Sequence, residues 1–545
     1  MDSSPLLSGA ATPSSYTARS EESLSIYASR DPYASFAWLL PSAIMATLAT
    51  QLTASARLAF FRQYVCEEIG GLPPPDPTLT VLSSKLDCTS PSLFLGTTTV
   101  TVAAMVLTCV FSSLSTGWWS RQSDIIGRRY ALMVPVVGSI LLNVIFAAIV
   151  ASSRFAGLAQ LCVFIALAFE GLLGGPATFN AALHAYSADV APAGRWAASF
   201  SVLQGVFLVC SVLGNSVGMG LDFFIPFLSF SVAAGIGAIN LVYIFFFLPE
   251  SLPEEFELDR PSKLTLGDLK SSIVSVFTAF GGQRIALLGV AFFLYSLTTK
   301  VESFHLNFAL SSQDASIMPM GPGLFITLSI GARVATFLVV FPGLLYVLQR
   351  QSPLSLAVST KHYILSVINI DASAARYSLF GDLVIQFFVL LAPASPSLIF
   401  FILSIGVPLT GGLKPAFYAL IAASAELRID GSPRRRGSLF GATSVVALVG
   451  ETLSSILFVS TSNTQRSLPR AGFVLTAALL CVVALFLWPV TSAGRVIPDV
   501  LPTERERIRI VVSDEATGLS REPDSATFSP IHRRHNSIAS GLEST

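Results

Sequence analysis

The chain has 545 residues, of which 52% are hydrophobic and only 12% are charged, and its mean hydropathy is +0.68. Soluble proteins carry about 25% charged residues, so this composition excludes a string of soluble domains and a chain that is disordered throughout. The 33 basic residues balance the 33 acidic ones, which leaves no basic excess for nucleic-acid binding. The six cysteines include no CxxC pair, which excludes zinc ribbons and disulfide-rich scaffolds. The remaining class is a membrane protein with many spans.

Long apolar stretches follow one another along most of the chain. A helix needs about 20 mostly apolar residues to cross the hydrocarbon core. The sequence meets this criterion at 35–55, 93–116, 131–151, 158–183, 197–219, 225–247, 285–308, 323–346, 379–394, 397–424, 439–460 and 471–490. Strands of a β-barrel would be about 10 residues long and would alternate polar and apolar positions, which these stretches do not. We therefore predict an all-α membrane protein with twelve transmembrane helices.

The basic residues of the short connections indicate the orientation of the spans. Fifteen Lys and Arg residues lie on one side, against six on the other side. The six are Arg57, Arg62, Lys85, Arg154, Arg466 and Arg470. By the positive-inside rule, the side with fifteen is cytoplasmic, and so are both termini. The Ser-rich residues 1–33 are too polar to form a cleavable signal peptide.

A long polar connection divides the predicted spans into two sets of six. The predicted domains are a disordered cytoplasmic tail (1–33), a six-helix bundle (34–248), a cytoplasmic loop (249–283), a second six-helix bundle (284–490) and a second disordered cytoplasmic tail (491–545). Duplicated transporter folds have this organisation, and their substrate site forms where the two bundles meet near the midplane.

The connection after the second span carries a distinctive pattern, Gly117, then Asp124, then Gly127-Arg128-Arg129. The glycines permit a tight turn. Asp124 can lie at the start of the next helix or pair with an arginine, so that the loop latches one conformation, although the arginines could also be charges that only set topology. The pattern resembles the cytoplasmic loop signature of the major facilitator superfamily.

Other segments agree with this resemblance. Asp189 and Arg195 follow the fourth span, 248–251 (Leu-Pro-Glu-Ser) closes the sixth, and Asp371 and Arg376 before the ninth are similar to a degenerate second latch. The resemblance implies two six-helix bundles in a monomeric transporter that is not an enzyme and needs no cofactor. Within the superfamily, the chain is similar to fungal, tetracycline-efflux and proton-coupled folate transporter branches. It departs from proton-driven exporters because its fifth span has glycines but no proline at the expected motif.

Seven charged residues fall inside the predicted spans: Glu170, Lys300, Glu302, Arg333, Asp382, Lys414 and Glu451. A charge at the bilayer centre costs at least ~2.5–3.5 kcal/mol, so it usually faces a cavity and carries function. Glu170, Arg333 and Glu451 lie near mid-membrane, and Lys414 lies nearer the cytoplasmic side. We expect Glu170 and Glu451 to take up protons and Arg333 to serve as counter-ion or anion-binding group. Purely structural pairs are the alternative.

Three further features of the sequence allow both a functional and a purely structural interpretation. His305 could titrate near neutral pH, and it shares a helix face with Glu302. The alternative is that both residues simply lie at an ordinary helix end, where their side chains reach water. Cys66 and Cys88 could form a disulfide in the first exterior loop or stay free. Leu6 and Leu7 follow an acidic residue, as in an acidic dileucine sorting signal, which would direct the protein to a vacuolar or lysosome-like membrane. Without such sorting, we expect the plasma membrane.

These observations predict a secondary active transporter that moves a small organic molecule by alternating access. The expected partners are that molecule, protons and the lipid bilayer, with no nucleic acid and no metal. Proton-coupled efflux is favoured. A proton-coupled importer or uniporter of the folate-carrier type is the first alternative, and a membrane sensor or scaffold that no longer transports is the second.

Overall fold

The computed structural model describes residues 35–70, 91–152, 156–252, 280, 283–301, 322–351, 360–391, 406, 411–428, 436–464 and 471–492. All of their regular elements are helices. Those of the first half are α1 (Phe36–Leu52), α2 (Ala54–Gly70), α3 (Pro91–Ser123), α4 (Arg128–Ala151), α5 (Ala156–Leu172), α6 (Gly175–Val190), a 3₁₀ turn (Ala193–Arg195), α7 (Trp196–Phe224) and α8 (Leu228–Phe246).

The second half continues the same pattern. Its helices are α9 (Gln283–Ser296), α10 (Pro322–Ala335), a π-helical segment (Thr336–Val340), α11 (Phe341–Gln351), α12 (Thr360–Leu391), α13 (Leu413–Arg428), α14 (Arg436–Thr464) and α15 (Ala471–Ser492). Within the described residues, ten helical stretches are long and apolar enough to cross a membrane, and α9 is a shorter apolar helix. Helices α9 and α13 lie at the predicted seventh and tenth spans, so each predicted span overlaps a helix.

The first span is longer than the sequence predicts. Helices α1 and α2 together form one candidate span, Phe36–Cys66, so the prediction that Arg57 lies in an exterior loop is wrong. The Arg57 side chain is held inside the first half, where its Nη2 donates to Asn143 Oδ1 (3.4 Å) and its guanidinium lies over the Phe146 ring (5.9 Å to the centroid). Tertiary partners therefore keep a segment with a charged residue in the helical bundle.

The fourth span is broken in its middle, between α5 and α6. Gly174 and Gly175 have φ of 98° and 51°, a region that side chains other than glycine rarely adopt. The break leaves carbonyl groups without helical partners. The Ser112 hydroxyl of α3 donates to Gly174 O, and the Ser115 hydroxyl donates to Gly171 O, each over 2.7 Å. The neighbouring helix thus satisfies the broken backbone.

Two predicted turns are helical instead. Gly117 lies inside α3, six residues before its end, so the prediction that it forms a turn is wrong, and the chain reverses at 124–127. Helix α12 begins at Thr360, nineteen residues before the predicted start of the ninth span. Asp371 and Arg376 therefore lie inside this helix, with Asp371 buried, and they do not form a loop. Arg376 lies over the Trp488 ring of α15 (5.9 Å).

The two halves meet along a small set of helices. Helix α14 packs against α3 and α6, while α13, α10 and α11 pack against α7. One hydrophobic cluster crosses this junction and joins Trp196 and Phe200 of the first half to Phe292, Phe417 and Phe440 of the second. The junction includes the end of the molecule where α3 turns into α4, which we call the α3–α4 end.

Candidate functional site

A buried ionic cluster occupies the α3–α4 end. Gly127, with φ of 127°, turns the chain into α4, which makes Arg128 the first residue of that helix. The Arg128 side chain is fully buried. Its Nη1 donates to Asp124 Oδ1 (2.6 Å) and its Nε donates to Asp189 Oδ2 (2.8 Å). Two carboxylates thus compensate a charge that could not stay buried alone.

The same cluster connects the two halves of the protein. Arg436, the first residue of α14, donates from Nη1 to Asp189 Oδ1 (3.1 Å) and from Nη2 to Glu426 Oε2 (2.7 Å). Asp189 therefore binds an arginine from each half. The charge pattern of the sequence does not assign Arg436 to this cluster.

Asp124 also caps a helix of the opposite half. Its Oδ1 accepts from Gly437 N (2.8 Å) and its Oδ2 accepts from Ser438 N (2.9 Å), in the first turn of α14. The first N–H groups of a helix lack partners and carry partial positive charge. Burial raises the pKa of Asp124, while Arg128 and the two N–H donors act in the opposite direction. Burial is the largest of these effects, so the pKa of Asp124 stays above its usual value and the partners only partly offset the rise.

Two other predicted latch residues lie at the edge of this cluster or outside it. Arg129 stacks on Phe245 (5.3 Å), and its backbone N–H donates to Glu250 Oε2 (3.1 Å). Glu250 Oε1 accepts from Arg128 N (2.8 Å), so Glu250 caps α4 within the first half. Arg195 is exposed, and Asp189 binds Arg128 and Arg436 instead.

A layer of buried rings from both halves lies next to the ionic cluster. His184 of α6 stacks on Tyr418 of α13, with ring centroids 4.0 Å apart and planes at 21°. Phe200 of α7 lies 5.3 Å from His184 and 5.8 Å from Phe440 of α14. We call these four residues the aromatic floor. No motif in the sequence marks His184, which is a single histidine among alanines.

An ion pair in the second half lies one helical turn from the floor. Lys414 Nζ lies 2.9 Å from Glu451 Oε1, and the two side chains are 25% and 37% exposed. The charges of Lys300 and Arg333 also act on Glu451. The direct partner of Glu451 is therefore Lys414, and the role of Arg333 as counter-ion stays a prediction. No hydrophobicity pattern could reveal this pairing, which requires α13 and α14 to face each other.

Glu170 occupies a different environment from Glu451. It is 9% exposed and interacts electrostatically with Arg57 of its own half. The two carboxylates that the sequence predicts as proton acceptors thus have different ionic partners. Asp382 is buried within α12.

Some predicted residues lie outside the described part of the chain, namely Glu302, His305 and Cys88. Cys66 forms a disulfide, and its pairing with Cys88 stays a prediction. Cys109, Cys162, Cys210 and Cys481 are free. Among the residues that the structure describes, no three His, Cys, Asp or Glu side chains gather as metal ligands.

Comparison with known proteins identifies the fold. No protein-family model and no curated sequence matches the chain. The human organic anion transporter MFSD10 (TETRAN) is similar in structure, with 16% identity over 84% of this chain and 100% of that one and a TM-score of 0.59. A bacterial homologue of the iron transporter ferroportin in an outward-facing state has 15% identity over 84% and 99% and a TM-score of 0.52. The E. coli fucose:proton symporter FucP, a major facilitator superfamily transporter, has 11% identity over 84% and 98% and a TM-score of 0.54.

These similarities, with the ten apolar spans, confirm the predicted fold class. The protein is an all-α, integral, multi-pass membrane protein with the major facilitator fold. The resemblance to particular branches of the superfamily stays a prediction.

Proposed function

We propose that the protein is a secondary active transporter that moves a small organic molecule across a membrane by alternating access. One observation carries this proposal. The Lys414–Glu451 pair is partly exposed, while the aromatic floor and the ionic cluster separate it from the α3–α4 end. A polar site reached from one side and sealed from the other is the arrangement that alternating access requires. The likeness to solved transporters supports the same function.

The barrier at the α3–α4 end consists of contacts that can break and re-form. Asp189 with Arg436, and Asp124 with Gly437, join opposite halves through hydrogen bonds and ion pairs. We infer that these contacts separate when the site opens to the α3–α4 end. On the predicted orientation this end is cytoplasmic, so the structure represents the state closed to the cytoplasm.

We propose protons as the coupling ion, with Glu451 as the acceptor. The sequence resemblance favours efflux by proton exchange. The direct contact of Glu451 with Lys414 favours the alternative, in which proton and cargo move in the same direction. Lys414 can pair with either the Glu451 carboxylate or the cargo, so Glu451 is free to take up a proton when the cargo is bound. We therefore place co-transport first and let the experiment decide the direction.

A knockout strain compared with wild type by untargeted metabolomics of cells and medium tests the proposal. We expect at least one small organic molecule to change in opposite directions in cells and medium, which also reveals the direction of transport. Wild-type protein should restore the profile, and the double variant Lys414→Gln/Glu451→Gln should not. Arg195→Gln serves as the control, because it also replaces a charged side chain by an amide, but at an exposed position.

The outcome also separates the transporter from the sensor or scaffold. A sensor needs no cargo site, so the double variant would then return the knockout strain to the wild-type profile as fully as Arg195→Gln does. Full restoration by the double variant would overturn the transport proposal.

A further inference from the structure

The Lys414–Glu451 pair faces the space between the two halves. Tyr418 is four residues after Lys414 and therefore lies on the same face of α13. Because Tyr418 stacks on His184 of the first half, this face points across the junction. The exposure of the pair, 25% and 37%, is thus exposure to the space between the halves, and water there can exchange with the ion pair.

Positive charge is concentrated around Glu451. Lys414 is its direct partner, and Lys300 and Arg333 act on it electrostatically. The Lys300 backbone N–H donates to Ser454 Oγ (3.2 Å), which places Lys300 beside α14 one turn beyond Glu451. Three cations therefore act on one carboxylate here, one of them in direct contact.

The other helices packed on α14 add little charge at this level. Helix α6 contributes His184, whose electrostatic neighbour is Lys414, and α13 contributes the phenol of Tyr418. Helix α15 carries no charged residue, while the charged residues of α3 and α9 are Arg121 and Arg284, at the opposite end of the span. The described surroundings of the ion pair are therefore cationic or neutral.

We propose that this site binds an organic anion, and that the anionic group of the cargo replaces Glu451 at Lys414 while Glu451 takes up a proton from water. This inference rests on the proposed transport function and adds the substrate class and the coupling step. The Lys414 N–H contact to Glu451 Oε1 breaks, and a contact to an oxygen of the cargo forms. A hydronium proton binds the Glu451 carboxylate and leaves water behind.

Charge explains why the two events go together. An anion bound beside ionised Glu451 would place two like charges on one ammonium group, which disfavours the bound state. Protonation of Glu451 removes that repulsion. A monoanion then enters with one proton, so the net charge of the site does not change, and transport of a monoanion moves no net charge across the membrane.

Binding to the purified full-length protein tests the proposal. The probe is the small-molecule extract of the host cells, separated by ion exchange into anionic, neutral and cationic fractions. Thermal unfolding is followed with each fraction at pH 5.5 and 7.5. We expect the anionic fraction to raise Tm by roughly 2–5 °C, with the larger rise at pH 5.5.

Four variants sharpen the test. Lys414→Gln should lose the rise in Tm, whereas Glu451→Gln should keep it with equal size at both pH values, because its neutral amide imitates the protonated acid. Should Lys414→Gln fail to fold with Glu451 left unpaired, the double variant Lys414→Gln/Glu451→Gln removes both charges and should fold without binding. Arg195→Gln should behave as wild type.

Each contrary result overturns the inference. These results are stabilisation by the neutral or cationic fraction alone, no stabilisation by the anionic fraction at pH 5.5, a full rise in Tm in the double variant, or wild-type pH dependence in Glu451→Gln. Binding of a neutral or cationic cargo, together with a changed metabolite profile in the knockout, would reject the anion and leave the transport proposal standing. Anion binding without any such change would reject transport and leave the anion site.

Discussion

Asp124 and Gly437 are 313 positions apart in the chain, yet the Gly437 N–H donates to Asp124 Oδ1 over 2.8 Å. One carboxylate of the first half thus caps a helix of the second half and pairs with Arg128 of its own half. The signature loop is therefore one side of a contact between the halves. The other side is the Arg436-Gly437-Ser438 segment.

Asp124→Asn is expected to weaken the closed α3–α4 end. The substitution leaves buried Arg128 with one carboxylate in place of two, and loss of a buried ionic partner costs about 3–5 kcal/mol. Spin labels at Arg195→Cys and Arg350→Cys, exposed positions of opposite halves at this end, should move apart in a variant without the four free cysteines. Asp222→Asn is the matched control, because Asp222 accepts hydrogen bonds from the backbone N–H and the hydroxyl of Ser229, in its own half. An unchanged distance distribution in Asp124→Asn would contradict the latch.

Gly437→Ala tests the close approach of α14 to the signature loop. A Cβ at this position would lie 2.7 Å from Asp124 Oδ1 and would overlap the Arg128 guanidinium. We expect a lower Tm and the same separation of the labels as in Asp124→Asn. Gly343→Ala, where a Cβ meets nothing within 4 Å, should be neutral or stabilising by up to about 1 kcal/mol. Equal effects of the two substitutions would show that the approach is not tight.

The π-helical segment of the second half depends on a hydrogen bond from the first. Ser201 Oγ donates to Phe337 O over 2.6 Å, and its loss should cost about 0.5–1.5 kcal/mol. In Ser201→Ala we expect faster hydrogen exchange of the amides in 336–341. Ser211→Ala is the control, since the Ser211 hydroxyl donates to Phe207 O of the same helix. Exchange that is equally slow in both variants would argue against this bond.

Arg57 and Glu170 are expected to form a structural pair. Removal of one buried charge leaves the other uncompensated and destabilises by about 3–5 kcal/mol, whereas removal of both is tolerated better. Arg57→Gln and Glu170→Gln should each lower Tm more than the double variant does. Expressed in the knockout strain, the double variant should restore the wild-type metabolite profile. A double variant that folds well but does not restore the wild-type profile would indicate that Glu170 takes part in transport.

The spans were readable from the sequence because hydrophobicity is a local property. About 20 apolar residues cross a bilayer wherever they occur, so each predicted span overlaps a helix. The break at Gly174 was also readable, because glycine is the residue that tolerates positive φ. The prediction was wrong where tertiary contacts override local composition, as at Arg57, which Asn143 and Phe146 hold inside the helical bundle.

The partners of the charged residues were decided only by the tertiary structure. The sequence showed that Glu170, Arg333, Lys414 and Glu451 are charges within spans, but not that Glu451 binds Lys414 or that Glu170 interacts electrostatically with Arg57. Helical periodicity determines which residues share a face of one helix, and it carries no information on which helix that face meets. Coulombic energy depends on the distance between two charges, and that distance exists only once the helices have packed.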